Sequence, residues 1–317
     1  MGEVERRASS LVNRMKVGNE SGVLAFPLSC FTDDGEAVDT GSFAAHLRWH
    51  MGFGPGALFV CCGTGEFTSL TVDEYSTLVA TAVTTAAGEI PIIAGVGYGW
   101  PLAQTFAKAA EAAGADGILL LPHYLVAAPS AGVLRHVRQV ASASALPLIV
   151  YQRGLAMYSA KDVGELVAIP SVIGLKDSMS DFAELQHMTI AAPDDFLFFN
   201  GTPTAELQYR PYASIGIPAY SSAVHSCTPE IARAFFAAAV AGDTATMDML
   251  LVEFYYPLIA IRDRAPGYAV ALIKEAARLR GHRVGPVRAP LVDPTDADSR
   301  DLEVVIRHGL EIVSAEF

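Results

Sequence analysis

Apolar positions along this chain come in short unbroken blocks, not in polar–apolar alternation. The blocks fall at 22–27 (GVLAFP), 57–61 (ALFVC), 90–95 (IPIIAG), 117–121 (GILLL), 147–151 (PLIVY), 171–175 (SVIGL), 196–200 (FLFFN) and 215–220 (IGIPAY). A strand with no polar face is covered on both sides, as in a parallel sheet. Between the blocks lie stretches with helical spacing, among them DTGSFAAHLRWHMGF, TVDEYSTLVATAVTTAAG and PLAQTFAKAAEAAGA. Thr71 and Glu74 form a capping-box pattern, and Gly88 and Gly114 stand where the latter two helices should stop.

Eight such β/α units closed on themselves make a TIM (β/α)8 barrel, an α/β fold. After residue 228 the strands cease, and TPEIARAFFAAAVAGD, TATMDMLLVEFYYPLIAIRDR, PGYAVALIKEAARLRGH and a segment near 296–314 read as helices. The expected organisation is an N-terminal extension over 1–20, a barrel over 21–227 and a C-terminal helical appendage over 228–317. In such a barrel the chemistry gathers at the C-terminal ends of the strands. That rule collects GTGE (63–66), LPHY (121–124), Tyr151, Lys176 and YSSAV (220–224) at one mouth.

The 317 residues are 51% hydrophobic, enough for a large core. A net charge of −12 disfavours nucleic acid and anionic membranes as partners, so an anionic substrate needs local donors. Cys30, Cys61, Cys62 and Cys227 show no metal-ligand spacing, and the polar, mixed-charge start is not a secretory leader. A reduced, cytoplasmic setting is expected. No unbroken apolar run approaches the roughly 18 residues of a membrane span.

Lys176 ends an apolar run, in VIGLKDSMS. A desolvated lysine there is a free amine able to condense with a ketone; the plainer alternative is a lysine paired with Asp177 or another carboxylate. Tyr151, at the end of the neighbouring strand, is either a proton shuttle or a packing residue. The GTGEF loop offers backbone N–H groups and the Thr64 hydroxyl to an anion, or is a plain turn. GVGYGW (95–100) has the wrong glycine spacing for a dinucleotide site. His46 and His50 lack the glutamate of a zinc-protease motif and read as packed or solvated, while Cys61 and Cys62 read as small core residues.

Together, GTGE after the second strand, Tyr151 and GLKD resemble the dihydrodipicolinate synthase and N-acetylneuraminate lyase superfamily, from about residue 20 to 315. GTGEFTSLT, LPHYLVAAP, NGTPTAE, AYSSAV, GYAVALIKEAARL and GPVRAPLVD look most like its branch of decarboxylating 5-dehydro-4-deoxyglucarate dehydratases. The synthase branch has a second threonine where Gly63 stands and a carboxylate-binding arginine further along, which Arg153 does not match in spacing. The resemblance implies that Lys176 forms the Schiff base, Tyr151 moves protons, and Gly63 and Thr64 hold the carboxylate beside the ketone. It further implies that Tyr124 reaches across a tight dimer interface, within a tetramer of tight dimers. The same resemblance implies that Ser221 and Ser222 contact the distal part of a keto-deoxy sugar diacid, and that Gly201 and Thr202 line the site. No metal or organic cofactor is implied. Gln152, VCCG (60–63) and AVHSC (223–227) depart from the branch pattern near the mouth. A pyruvate-dependent aldolase of the same superfamily is therefore the alternative activity, and a barrel that binds without turnover is the alternative from another class.

Overall fold

The computed structural model describes residues 2–317. Eight strands form one sheet: β1 Leu24–Ala25, β2 Ala57–Val60, β3 Ile92–Val96, β4 Gly117–Leu120, β5 Leu148–Gln152, β6 Val172–Asp177, β7 Leu197–Asn200 and β8 Ser221–Ser222. Every neighbouring pair is parallel, β8 pairs with β1, and a bridge between Asn200 and Tyr220 closes the ring. The expected (β/α)8 barrel is the observed fold. Its strands are buried along almost their whole length, which explains their continuously apolar blocks.

Seven strands fall within two residues of the expected blocks. The eighth does not, because IGIPAY is the approach to β8, not the strand itself. Gly216 takes a φ of +86° after the short helix Tyr209–Ser214, and Pro218 has no N–H to give a ladder. Regular pairing therefore begins only at Ser221.

The helices start and stop as their caps dictate. Thr71 Oγ1 accepts from the Glu74 amide and Glu74 returns a bond to the Thr71 amide at 3.0 Å, opening the helix Val72–Ala86. The extension expected over 1–20 is a helix, Glu3–Ser21. Ala8, Leu11, Val12 and Met15, spaced at 3, 4 and 7, form its buried stripe. Leu11 comes so close to the first residue of β4 that a β-carbon on Gly117 would lie 2.6 Å from it. This helix therefore plugs the end of the barrel opposite the mouth.

Beyond β8 the chain forms helices Pro229–Ala241, Thr244–Arg262, Tyr268–Leu279 and Asp296–Ile312. The second has a π-helical turn at Leu251–Tyr255, where the Tyr256 amide bonds back to Leu251; it lies just before Pro257, which has no amide to donate. By length and composition this helix is also long and apolar enough to span a membrane, contrary to the expectation from sequence, with Asp248 and Glu253 interrupting its apolar run. Its Leu250, Phe254, Tyr255, Leu258 and Ile261 are packed inside the protein. The helix Tyr268–Leu279 lies over the mouth, so the C-terminal segment supplies part of the cavity wall.

Candidate active site

The side chains of successive strand residues point to opposite faces, and β6 uses this to separate Lys176 from Asp177. Asp177 faces outward and accepts bonds from Gln152 Nε2 at 2.7 Å, from the amides of Met179 and Ser180, and from the Tyr212 hydroxyl. Lys176 faces inward, buried, with Nζ 3.8 Å from the centre of the Phe26 ring and 4.5 Å from that of Tyr151. Among the described residues no carboxylate reaches ion-pair distance of it, so the pairing with Asp177 is not made. Burial, assisted by Arg153 and opposed by Cys62, brings the amine down to about 7. Near neutral pH a large fraction is therefore uncharged and able to attack a carbonyl.

Tyr151 is the direct ladder partner of Lys176 across β5 and β6, so both side chains stand on the inner face. Its hydroxyl donates to the Gly201 carbonyl at 2.9 Å and receives Arg153 Nη1 at 3.5 Å. Burial pushes this phenol above its ordinary value, and Arg153 is the largest opposing influence. Tyr151 is thus held in its protonated form, lining the same cavity as the Lys176 amine.

The loop after β7 is built by Asn200, whose Oδ1 accepts from the Thr202 amide and hydroxyl and whose Nδ2 donates to Ala205. That turn puts Gly201, Thr202 and Thr204 on the cavity wall. Gly201 is required by space: a β-carbon there would sit 2.3 Å from Cε of Lys176.

Gly63 and Thr64 line the same cavity, but Glu66 of GTGE does not reach it. Glu66 is buried, bonded by Lys274 Nζ at 2.6 Å and by the Arg288 amide at 2.9 Å. Arg288 also grips Glu74 and the carbonyls of Gly35, Glu36 and Ser69. The GYAVALIKEAARL and GPVRAPLVD stretches thus fasten the GTGE loop to the C-terminal segment.

The cavity, about 310 Å³, brings together Lys176, Tyr151, Gly63, Thr64, Gly201, Thr202 and Ser221 from five strands. Two expected residues lie elsewhere. Ser222, next to Ser221 on a strand, necessarily faces the other way; it is fully buried and donates to Glu206 at 2.6 Å. Tyr124 stands at the rim, 60% exposed, beside an adjoining hollow that shares Gly63, Leu121 and Val270 with the main cavity.

Two cavity residues escape the sequence reading. Arg153 enters the wall with no carboxylate partner among the described residues, although its spacing fails the synthase pattern. Arg262, from the helix Thr244–Arg262, bonds Thr204 Oγ1 at 2.9 Å and its neighbour Asp263. An arginine closing an otherwise apolar helix, PLIAIR, was the available signal. Of the departures from the branch pattern, Gln152 misses the cavity, and VCCG and AVHSC reach it in part. Gln152 turns outward to Asp177 and Tyr158, and His225 packs against His50 with 2.7 Å between their Nδ1 atoms. Cys62, Ala223 and Val224 do line it. Cys61 and Cys62 are buried and their thiols are pushed up by desolvation, as core residues would be.

Fold and cavity define a class: a parallel (β/α)8 barrel with a buried lysine, its amine brought down to about 7, and a tyrosine at its mouth. The profile of the Dihydrodipicolinate synthetase family matches residues 19–308, and the chain belongs to that family. It is 53% identical, over 97% of its length and 95% of the relative, to a probable 5-dehydro-4-deoxyglucarate dehydratase 2 of Streptomyces coelicolor. It is 42% identical, over 90% of its length and 95% of the relative, to a probable 5-dehydro-4-deoxyglucarate dehydratase of Rhizobium meliloti. Among solved structures, dihydrodipicolinate synthase from Oceanobacillus iheyensis superposes with a TM-score of 0.84 at 21% identity, covering 93% of this chain and 98% of that one. The sialic acid aldolase of Ruminococcus gnavus gives 0.84 at 20% identity, with coverages of 93% and 99%. At such identities these two likenesses concern the fold.

Proposed function

We propose that this chain is a decarboxylating 5-dehydro-4-deoxyglucarate dehydratase that releases 2,5-dioxopentanoate, carbon dioxide and water. The observation that carries the reading is Lys176, an amine in a cavity that also holds the guanidinium of Arg153, neither of them paired with a carboxylate among the described residues. Relatives at 53% identity over nearly the whole chain narrow the reaction to this one.

Lys176 adds to the ketone and, with loss of water, gives an iminium. The iminium acidifies the methylene beside it. Loss of that proton gives an enamine, which expels hydroxide from the next carbon. In the conjugated iminium so formed, the electrons of the bond to the far carboxylate flow toward nitrogen as carbon dioxide leaves. Reprotonation and hydrolysis return the free lysine, so the net loss is one water and one carbon dioxide. The iminium is the electron sink, and the reading needs no metal or organic cofactor.

Tyr151 carries protons to and from the carbinolamine. Gly63 and Thr64 hold the carboxylate beside the ketone, Thr202 and Ser221 the hydroxyl-bearing carbons. Arg153, with the Arg262–Thr204 pair on the same wall, receives the second carboxylate, a fit to a diacid. The loop after β4 exposes Tyr124, Leu125 at 96% and Val126, with Leu155 and Met157 exposed after β5. This apolar rim supports self-association, as a tetramer of tight dimers. The four free, buried cysteines suit a reducing, cytoplasmic compartment.

Carbon-13 spectra of a reaction with 5-dehydro-4-deoxyglucarate test the reading. The expected signals are 2,5-dioxopentanoate and carbon dioxide with native protein, and neither with a folded Lys176→Ala variant. Pyruvate released from a 2-keto-3-deoxy sugar acid, without carbon dioxide, would move the chain to the aldolases.

A further inference from the structure

β8 is the barrel's most weakly held strand. Its ladder to β1 spans two residues, Leu24 with Ser221 and Ala25 with Ser222, and it meets β7 only at Asn200, through the Asn200–Tyr220 bridge and a Ser221 hydroxyl that donates to the Asn200 carbonyl at 3.2 Å. Yet it presents Ser221 to the cavity, followed directly by Ala223 and Val224. Something besides the ladder must set its register.

A buried carboxyl stands behind the wall, bonded to the outward-facing residue of that strand. Glu206 lies in the short 3-10 turn Ala205–Gln208 that ends the NGTPTAE stretch, and it is 1% exposed. Its Oε1 accepts from the Ser222 hydroxyl at 2.6 Å, and Ser222 Oγ in turn accepts from the His225 amide at 3.2 Å. No cation pairs with Glu206 among the described residues. Its Oε2 is buried with no partner in good hydrogen-bond geometry; the Tyr255 hydroxyl is near enough to favour the ionised carboxyl, and the Tyr220 hydroxyl also adjoins it. Burial raises the carboxyl to about 7, so near neutrality a large fraction is protonated, and either form can accept from Ser222. The two segments it joins carry Thr202 and Thr204 on one side and Ser221 on the other, all facing the cavity.

We propose that Glu206 is a positioning residue: through Ser222 it locks the loop after β7 to β8 from outside the barrel and so sets the distance between Thr202 and Ser221 across the substrate. The inference rests on the dehydratase reading for its substrate. It adds a determinant of how tightly the hydroxyl-bearing end is held.

The test compares Glu206→Gln, Glu206→Leu, Ser222→Ala and the Leu/Ala double variant by KM, kcat and imine trapping at Lys176. Ser222→Ala and Glu206→Leu are each expected to raise KM about tenfold with little change in kcat, the value of one buried hydrogen bond. The double variant should be no worse than either single one, because both remove the same link. Glu206→Gln should rescue KM, since its amide oxygen still accepts from Ser222. Unchanged KM in Ser222→Ala, with only a lower melting temperature, would reduce Glu206 to packing and overturn the proposal. So would a Gln variant as impaired as the Leu one. Should Glu206→Leu not fold, Ser222→Ala against Glu206→Gln carries the comparison. A native protein that turns over no 5-dehydro-4-deoxyglucarate breaks the dehydratase reading alone. The same order of variants is then expected, and the same contrary results count against it, in KM for a hydroxylated 2-keto-3-deoxy sugar acid cleaved through Lys176.

Discussion

Lys176 reaches the cavity through the space that Gly201 leaves. A methyl group on that glycine would meet Cε, Cγ and Cδ of the lysine at 2.3, 2.5 and 2.9 Å, and the lysine stem, hemmed by Phe26 and Tyr151, has nowhere to retreat. Gly201→Ala is therefore expected to cut kcat/KM by about 100-fold or more with the fold retained, the usual cost of a misplacement near 1 Å; circular dichroism with steady-state kinetics checks it. The amine must be neutral to attack, so kcat/KM should rise with pH through about 7. Arg153 is one of the two influences holding that value down, so Arg153→Gln should move the rise to higher pH. It should also raise KM for the diacid more than for a mono-acid keto substrate. A pH profile in which Arg153→Gln leaves the rise in place would contradict this account of the site. Lys176 and Tyr151 are legible in sequence because each interrupts or ends an apolar block with a polar group. Ser222 is not, since the inward phase of a two-residue strand has no pattern to read. Arg153 was visible but did not fit a spacing borrowed from a different branch.

The GTGE loop illustrates how elements, more than single residues, hold the site. Glu66 adopts a left-handed φ of +52°, and its carboxylate is tied to Lys274 and to the Arg288 amide, both from the C-terminal segment. Both partners of the ion pair are essentially inaccessible to water. Glu66→Gln should therefore cost about 3–5 kcal/mol in chemical denaturation, because it leaves the Lys274 ammonium buried without its anion. Glu66→Gln combined with Lys274→Met should recover much of that loss, and additive losses would show that the two do not act as a pair. Strand positions follow from apolar blocks because a parallel sheet is buried on both faces. The N-terminal helix does not announce itself, since its stripe of four buried residues is short and set in a mostly polar, charged stretch. The role of the C-terminal helices as cavity wall is likewise a product of long-range packing, which no local pattern encodes.

At the scale of the molecule, three buried imidazoles dominate the expected response to acid. His46, His50 and His225 form a chain with 3.0 Å between Nε2 of His46 and Nε2 of His50, and 2.7 Å between Nδ1 of His50 and Nδ1 of His225. Each N–N contact holds one proton, so the chain is suited to neutral rings. Burial, reinforced for His46 and His50 by their neighbours His225 and His282, puts His46 and His225 at about 3 and His50 well below its ordinary value. The unfolded chain takes up protons at these histidines from about pH 6.5 downward and the folded one does not. Their stabilisation is thus complete above that value and is lost progressively as the pH falls toward 3. Each can contribute a slope of up to about 1.4 kcal/mol per pH unit, so denaturation midpoints should fall steeply between pH 6 and 4. Replacing His225 by Gln should flatten that fall; an unchanged slope would mean that the chain of histidines does not govern it.

The central claim is that Lys176 bonds covalently to a keto acid that then loses water and carbon dioxide. The most direct measurement is borohydride reduction during turnover of 5-dehydro-4-deoxyglucarate, followed by intact mass and a peptide map. The account predicts an adduct on Lys176 with the mass of the dehydrated, decarboxylated product. Turnover with no adduct on Lys176 would contradict it.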